Sequence, residues 1–288
     1  MTTELVDRIR ELCSPLTPIP TGEQPALSAL PGIRAVLFDV YGTLLISAGG
    51  DMGMEVSEDV TKAASDAFRG ATRAAGLLSE GRVAEFFETI RTHHRRAREA
   101  GITFPEVDVV AVLREVLEGD AYKLSEAMLQ RVAVEFECRV NPVWPMPHAR
   151  ECLARLRDTG RILGIVSNAQ FYSPLTLEAL LGKSPEQLGF ETVLQFFSYK
   201  RGQAKPSPFL FQQAAHTLKG CGIAPEEAVY VGNDLLKDVM PAASVGFRTA
   251  LFAGDRRSLR KRDGDARVAG VVPDVVLTSL DQLERCLE

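Results

Sequence analysis

The chain has 288 residues, of which 45% are hydrophobic and 25% are charged, and its formal net charge is −5 at neutral pH. This length and composition are typical of a globular protein with one large domain and a smaller one. The negative charge argues against a nucleic-acid partner and against binding to anionic membranes. The sequence also lacks a run of about 18 apolar residues that could cross a membrane.

The five cysteines are scattered, odd in number and never arranged as Cys-x-x-Cys. This pattern indicates a reducing compartment and no zinc site. The amino terminus carries Glu4, Asp7 and Arg8 and lacks the apolar stretch of a secretion signal. We therefore expect a cytoplasmic protein.

Residues 1–33 are predicted to be an extension ahead of the main domain. Leu5, Ile9 and Leu12 have the spacing of a short amphipathic helix, and a cluster of prolines then interrupts regular structure. The extension could pack on the rest of the chain or on a second subunit of a homodimer. The sequence leaves both arrangements open.

The segment 35–38 is a continuous apolar run, as expected for a strand that is buried on both faces. It ends at Asp39, and Gly42 follows, so the chain turns there and presents a carboxylate at the carboxyl end of the strand. Open α/β sheets place their chemistry at that edge. A carboxylate held there can act as a nucleophile towards phosphorus or carbon.

The rest of the chain divides into a helical part and an alternating part. Apolar spacing between about residues 57 and 140 predicts four helices and no strand, which indicates a separate helical cap. After it, helices alternate with strands predicted at 162–166, 194–197, 228–231, 248–251 and 274–277. Such alternation predicts parallel strands joined by right-handed crossovers.

The predicted fold class is therefore α/β, with a Rossmann-like three-layer core around a parallel sheet and an all-helical cap domain. We assign residues 34–47 and 144–288 to the core and residues 48–143 to the cap.

Three further polar stretches are predicted at the same sheet edge as Asp39. Ser167 and Asn168 follow a strand, where hydroxyl and amide groups can donate to an anionic oxygen. Lys205 precedes two prolines in a loop before a helix, and a fixed ammonium there keeps a nearby carboxylate ionised. Asp234 lies beyond the strand predicted at 228–231, four residues before a second aspartate.

These stretches together resemble the four motifs of the haloacid dehalogenase superfamily, in the same order along the chain. The resemblance implies a hydrolase with a helical cap after its first motif. It implies Asp39 as nucleophile, and the residues that it assigns to catalysis are Asp39, Ser167, Lys205 and Tyr41. Thr43 and Asn168 are the implied substrate contacts.

The resemblance also implies a bound Mg²⁺. Its ligands would be Asp39, the backbone carbonyl of Tyr41 and Asp234, and Asn233 and Asp238 would support them. Magnesium prefers octahedral oxygen ligation with few carboxylates, so this set would suffice with water and substrate. We expect Asp238 to act through water or through a hydrogen bond to the lysine at position 205.

The residue at position 41 departs from the phosphatases of the superfamily, which usually carry a second aspartate there as general acid and base. This chain has Tyr41, and a tyrosine with a pKa of about 10 is a poor general base at neutral pH. Tyrosine at this position is typical of the 2-haloacid dehalogenases in the same superfamily. Their halide leaving group needs no proton, and they work without metal.

The residues at positions 233 and 234 favour phosphate-ester hydrolysis over dehalogenation. Those dehalogenases place Ser and Asn where this chain has Asn233 and Asp234, and a second carboxylate near Asp39 would repel an anionic haloacid unless a metal neutralised it. We therefore predict a magnesium-dependent phosphatase that acts on a small anionic phosphomonoester. The alternatives are a metal-independent 2-haloacid dehalogenase and a non-catalytic protein that binds a small molecule.

The sequence also predicts roles for arginines in the cap and in a polar loop. Arg69 and Arg73 in the cap are candidate ligands for a haloacid carboxylate. Two basic runs, 91–98 on a predicted cap helix and 256–262 in a polar loop, are predicted to be solvent-exposed.

Overall fold

The computed structural model describes residues 2–49, 58–77, 82–117 and 124–287. The strands, in chain order, are β1 (Ala35–Phe38), β2 (Leu45–Ser47), β3 (Val143–Pro145), β4 (Ile162–Ser167), β5 (Phe190–Phe197), β6 (Ala228–Gly232), β7 (Arg248–Phe252) and β8 (Val275–Leu277). The helices are α1 (Thr2–Leu12), α2 (Glu58–Ala74), α3 (Val83–Glu99), α4 (Val109–Leu117), α5 (Glu126–Val140), α6 (Ala149–Asp158), α7 (Tyr172–Leu181), α8 (Pro185–Leu188), α9 (Ser198–Arg201), α10 (Phe209–Gly220), α11 (Met240–Ser244) and α12 (Gln282–Cys286). A π-helical turn, Leu235–Val239, leads into α11.

The core is a six-stranded sheet with the order β5-β4-β1-β6-β7-β8, and its paired strands are parallel. The predicted α/β class is therefore confirmed. Strand β1 lies in the middle of the sheet, between β4 and β6. This position explains its unbroken apolar sequence, because a central parallel strand is covered by helices on both faces.

The two faces of β1 belong to two different hydrophobic clusters. Val36 and Phe38 pack into the larger cluster, which includes residues of α6, α7 and α12. Ala35 and Leu37 pack into the second cluster, beneath α10. Helix, sheet and helix thus form the three layers of the core.

The cap consists of α2, α3, α4 and α5, within the part of the chain that was predicted to be helical. Phe68, Phe86 and Phe136 meet at its centre with ring centroids 5.6 Å apart in each pair. Where the chain leaves and re-enters the core, β2 and β3 form an antiparallel pair that places Ile46 opposite Trp144. The sequence analysis did not predict this small sheet.

The cap also contacts the core through one of its loops. The loop between α3 and α4 lies beside the loop that precedes Lys205. The Ala204 amide donates to Phe104 O at 2.8 Å, and the Glu106 amide donates to Gly202 O at 3.1 Å. These backbone bonds hold the cap over the carboxyl edge of the sheet.

The N-terminal extension packs on the same chain. Helix α1 buries Leu5 and Ile9 against α5 and α7, and Arg8 Nε lies 2.5 Å from the Oε1 atom of Glu135, whose side chain is fully buried. Further along, Ala26 exchanges two backbone hydrogen bonds with β8. The extension therefore joins cap and core. Among the described residues, no helix is both long and apolar enough to span a bilayer.

Candidate active site

The carboxyl ends of β1, β4 and β6 bring Asp39, Ser167 and Asn233 to one edge of the sheet. Asp39 follows β1 directly, and its amide donates to Val231 O at 2.9 Å. The turn after it requires glycine. Gly42 has a φ of +83°, and a Cβ there would lie 2.8 Å from the Asn233 side chain.

Lys205 lies buried between two carboxylates. Its Nζ is 2.9 Å from Asp39 Oδ1 and 2.5 Å from Asp238 Oδ1, and it donates to the Tyr230 hydroxyl at 3.0 Å. Burial alone would lower the pKa of Lys205, but Asp238 and Asp39 outweigh it and raise the pKa above its ordinary value. The side chain is therefore an ammonium at neutral pH.

The loop that carries Lys205 is held by Asn168. The amide of Lys205 donates to Asn168 Oδ1 at 2.7 Å, and Asn168 Nδ2 donates to Lys205 O at 3.1 Å. Asn168 also lines the cavity described below. Asn168 therefore positions the Lys205 loop and can also contact a ligand in the cavity.

Asp238 makes the hydrogen bond to Lys205 that we expected, and it also supports the loop after β6. Its Oδ2 accepts the amide of Asp234 at 3.0 Å. Burial raises the pKa of Asp238, Lys205 opposes this effect, and Asp39 and Asp234 add to it, so the pKa lies above that of a solvated aspartate. Gly232 makes room for this carboxylate, since a Cβ there would lie 2.4 Å from Asp238 Cγ.

The Ser167 hydroxyl is an unsatisfied polar group. The residue is fully buried, and its Oγ makes no hydrogen bond within the described part of the chain. Buried hydroxyls nearly always have a partner, because leaving one unpaired costs about 1–3 kcal/mol. This unpaired hydroxyl lies at the end of β4, the strand next to the one that carries Asp39, just beneath the cavity lining that Asn168 contributes.

Both carboxylate oxygens of Asp234 accept hydrogen bonds. Its Oδ1 accepts the amides of Leu236 and Lys237 at 2.8 and 3.2 Å. Arg262 Nε lies 3.1 Å from the same oxygen, and Arg262 Nη2 donates to Oδ2.

The prediction that the run 256–262 is solvent-exposed is therefore wrong for three of its arginines. Arg262 pairs with Asp234, Arg260 lines the cavity, and Arg257 pairs with the fully buried side chain of Asp255. The physical reason is a long-range backbone pairing that local charge patterns do not reveal. The amide of Arg260 donates to Asn233 O at 2.9 Å, and the Leu235 amide donates back to Arg260 O at 2.9 Å.

Thr43 and Asn233 connect the first and last motifs to each other. Thr43 is fully buried, and its hydroxyl donates to Asn233 Oδ1 at 3.3 Å. Asn233 Nδ2 donates to Ser258 O at 2.7 Å. In the structure, both side chains therefore contact protein groups, although Thr43 was expected to contact substrate.

Tyr41 lines the cavity, and its hydroxyl lies 2.9 Å from Ser173 Oγ. Burial, with a contribution from Glu137, raises the pKa of this phenol far above its ordinary value. The hydroxyl therefore stays protonated at neutral pH and cannot act as a general base.

A cavity of about 260 Å³ lies between the sheet edge and the cap. Core residues in its lining include Asp39, Lys205 and Asp234, and the cap contributes Glu106 and Glu137. Burial raises the pKa of both cap carboxyls. The sequence analysis missed these two glutamates, because the faces that cap helices and loops turn towards the core could not be predicted.

The cap arginines lie elsewhere. Arg69 and Arg73 are exposed on α2, and Arg69 pairs with Asp66 at 2.6 Å. Both therefore lack the burial expected of an arginine that binds a substrate carboxylate in a closed site. The prediction for the run 91–98 is confirmed for its arginines, which are exposed on α3.

The candidate metal ligands are all oxygens, which suits Mg²⁺. Among the described residues, no three acidic, histidine or cysteine side chains form a ready-made metal site. A magnesium ion would therefore rely on Asp39 and Asp234, the Tyr41 carbonyl, water and substrate. These oxygen donors suit Mg²⁺, but both carboxylate oxygens of Asp234 already accept hydrogen bonds from Arg262.

Fold and site together define a capped α/β hydrolase. Residues 33–246 match the family of haloacid dehalogenase-like hydrolases, and the chain belongs to this family.

Two curated relatives are phosphatases. The chain is 30% identical to the glyceraldehyde 3-phosphate phosphatase of Methanopyrus kandleri, over 81% of this chain and 90% of that protein. It is also 30% identical to the phosphoserine phosphatase of Thermus thermophilus, over 81% of this chain and 93% of that protein. A solved 2-haloacid dehalogenase from Pseudomonas syringae pv. Tomato superposes with a TM-score of 0.53, covers 88% of this chain and 97% of its own, and is 21% identical. At that identity the likeness concerns the fold.

Proposed function

We propose that the protein is a magnesium-dependent phosphatase that hydrolyses a small phosphomonoester through an aspartyl-phosphate on Asp39. The observation that carries this proposal is the buried Ser167 hydroxyl without a partner, beside a nucleophile that Lys205 holds at 2.9 Å. A carboxylate and a hydroxyl at adjacent strand ends, with an ammonium beside the carboxylate, suit a phosphoryl group. The phosphatase relatives support the same reaction.

In the proposed first step, a carboxylate oxygen of Asp39 attacks phosphorus, and the bond from phosphorus to the ester oxygen breaks. Ser167 donates to a phosphoryl oxygen, and the positive charge of Lys205 offsets the negative charge that builds up there. Mg²⁺, held by Asp39, the Tyr41 carbonyl and Asp234, would neutralise phosphate charge when bound. The leaving alkoxide takes its proton from water, because the Tyr41 hydroxyl is paired with Ser173 and no carboxylic acid occupies position 41.

In the second step, water attacks phosphorus and releases inorganic phosphate, and the carboxylate of Asp39 is restored. Since no aspartate occupies position 41 to activate this water, we expect slow turnover.

The test is phosphate release from a panel of small phosphomonoesters, with MgCl₂ and with EDTA. Asp39→Asn serves as the blank, and Asp66→Asn, which changes an exposed aspartate on the cap, is the matched control. We expect magnesium-dependent release by the wild-type protein and by Asp66→Asn, and none by Asp39→Asn. Release that survives in Asp39→Asn, or a complete lack of release across the panel, would contradict the proposal.

A 2-haloacid dehalogenase is the second candidate, and Tyr41 is the observation that favours it. A halide leaves without a proton, so the missing acid matters less, and Arg262 neutralises Asp234 without a metal. Single turnover in ¹⁸O-water distinguishes the two reactions. Water that attacks phosphorus labels the phosphate, whereas water that attacks the carbonyl of a carbon ester labels the Asp39 carboxylate.

A further inference from the structure

The ion pair between Arg262 and Asp234 has the geometry of a strong, two-point contact. Two guanidinium nitrogens meet the two carboxylate oxygens, in the fork arrangement that makes arginine–carboxylate pairs specific. Both side chains are withdrawn from solvent, with 24% of the arginine side chain and 6% of the aspartate side chain exposed. Screening by water is weak there, so the pair is stronger than an ordinary surface salt bridge.

The backbone holds Arg262 in this position. The preceding residues pair with the loop after β6 through Arg260 and Leu235, and Lys261 Nζ lies 3.0 Å from Glu23 of the N-terminal extension. Arg262 itself has a φ of +58°, in the left-handed region that residues other than glycine seldom adopt. Hydrogen bonds and an ion pair thus connect the extension, the loop 255–262 and the last motif, residues 233–238.

The pair occupies the carboxylate that a magnesium ion would need. Asp234 Oδ1 already accepts two amides and Arg262 Nε, and Oδ2 accepts Arg262 Nη2. Two positive charges on one carboxylate repel each other, and magnesium demands near-ideal octahedral geometry, so the guanidinium on Oδ2 opposes metal binding there.

We propose that Arg262 competes with Mg²⁺ for Asp234, so that the resting enzyme binds the metal weakly and must release this arginine to bind it. The inference rests on the proposed magnesium site. By linkage, the metal and the ion pair weaken each other to the same extent.

The test measures metal binding directly. MgCl₂ is titrated by calorimetry into the wild-type protein, Arg262→Gln and Arg260→Gln, without substrate. Arg260 is the matched control, because it lies on the same loop and lines the cavity, but its guanidinium donates to the backbone carbonyls of Arg257 and Leu259 instead of to Asp234. Its removal therefore takes away a positive charge beside the cavity without freeing Asp234.

We expect Arg262→Gln to bind Mg²⁺ about tenfold or more tightly than the wild-type protein, within the usual range of coupling between two sites. Arg260→Gln should stay within about threefold of the wild type. If Arg262→Gln unfolds, Arg262→Lys, which keeps the charge but loses the fork, should show a smaller gain in affinity.

Equal or weaker affinity in Arg262→Gln, or the same gain in Arg260→Gln, overturns the inference. If the wild-type protein still releases phosphate with magnesium in that case, the proposed function stands and only the competition fails. If none of the proteins binds Mg²⁺, the inference is overturned as well, and phosphate release with EDTA then decides whether the phosphatase proposal survives without its metal.

Discussion

Replacing Lys205 with methionine removes the ammonium between Asp39 and Asp238 and keeps most of the apolar stem. The lysine is 4% exposed and lies 2.9 and 2.5 Å from the two carboxylates. Removing one partner of a buried ion pair costs about 3–5 kcal/mol, because the remaining charge has no compensation. At about 2–4 °C per kcal/mol for a chain of this size, the melting temperature should fall by roughly 10 °C.

The loss should depend on pH in a defined direction. Without the ammonium, the pKa of Asp238 in the folded protein rises further above its unfolded value, so the folded state binds a proton more tightly than the unfolded state does. The stability of Lys205→Met therefore falls as pH rises from the unfolded-state pKa of Asp238 to its raised folded-state pKa. The gap between variant and wild type should be smaller at pH 5 than at pH 8.

Thermal unfolding followed by calorimetry at both pH values measures this effect. Lys219→Met, which changes an exposed lysine on α10, is the control and should leave the melting temperature nearly unchanged. The double variant Lys205→Met/Asp238→Asn should recover part of the loss, because one uncompensated carboxylate is gone. A single variant as stable as Lys219→Met, or a double variant no better than the single one, would refute the reasoning.

Three other substitutions separate binding, chemistry and stability. Ser167→Ala should weaken inhibition by inorganic phosphate about tenfold with little loss of stability, since its hydroxyl bonds no described residue; a large drop in melting temperature with unchanged phosphate affinity would contradict this. Tyr41→Phe removes the bond to Ser173 and should cost about 1 kcal/mol in stability. Its kcat should stay near the wild-type value, and a large fall in kcat would show that the phenol takes part in the chemistry. Glu137→Gln should stabilise the protein at pH 8 but not at pH 4. Burial raises the pKa of this carboxyl, so the energetic cost of its charge appears as pH rises from about 4.5 towards the raised pKa. A melting temperature that shifts equally at both pH values would argue against this.

The core could be predicted because its signals are local. An apolar run without alternation indicates a strand covered on both faces, and β1 has that environment. Polar residues after such strands must meet at one sheet edge, and Asp39, Ser167 and Asn233 do so.

What could not be predicted depends on contacts between distant segments. Arg262 pairs with Asp234 because a loop folds back onto the last motif, and no periodic pattern in a polar loop encodes that contact. Glu106 and Glu137 enter the cavity because of how the cap sits on the core. The pair β2 and β3 is three residues long on each side, too short for a reliable strand signal.

The central claim is that Asp39 becomes phosphorylated during turnover. The most direct measurement is acid quenching of the protein during hydrolysis of an accepted phosphomonoester, followed by mass spectrometry of the peptide that contains Asp39. We predict one phosphoryl group on that peptide, absent from Asp39→Asn and lost when the reaction is allowed to finish. Turnover with phosphate release but with no phosphoryl group trapped on this peptide, or with the group on another residue, would contradict the account.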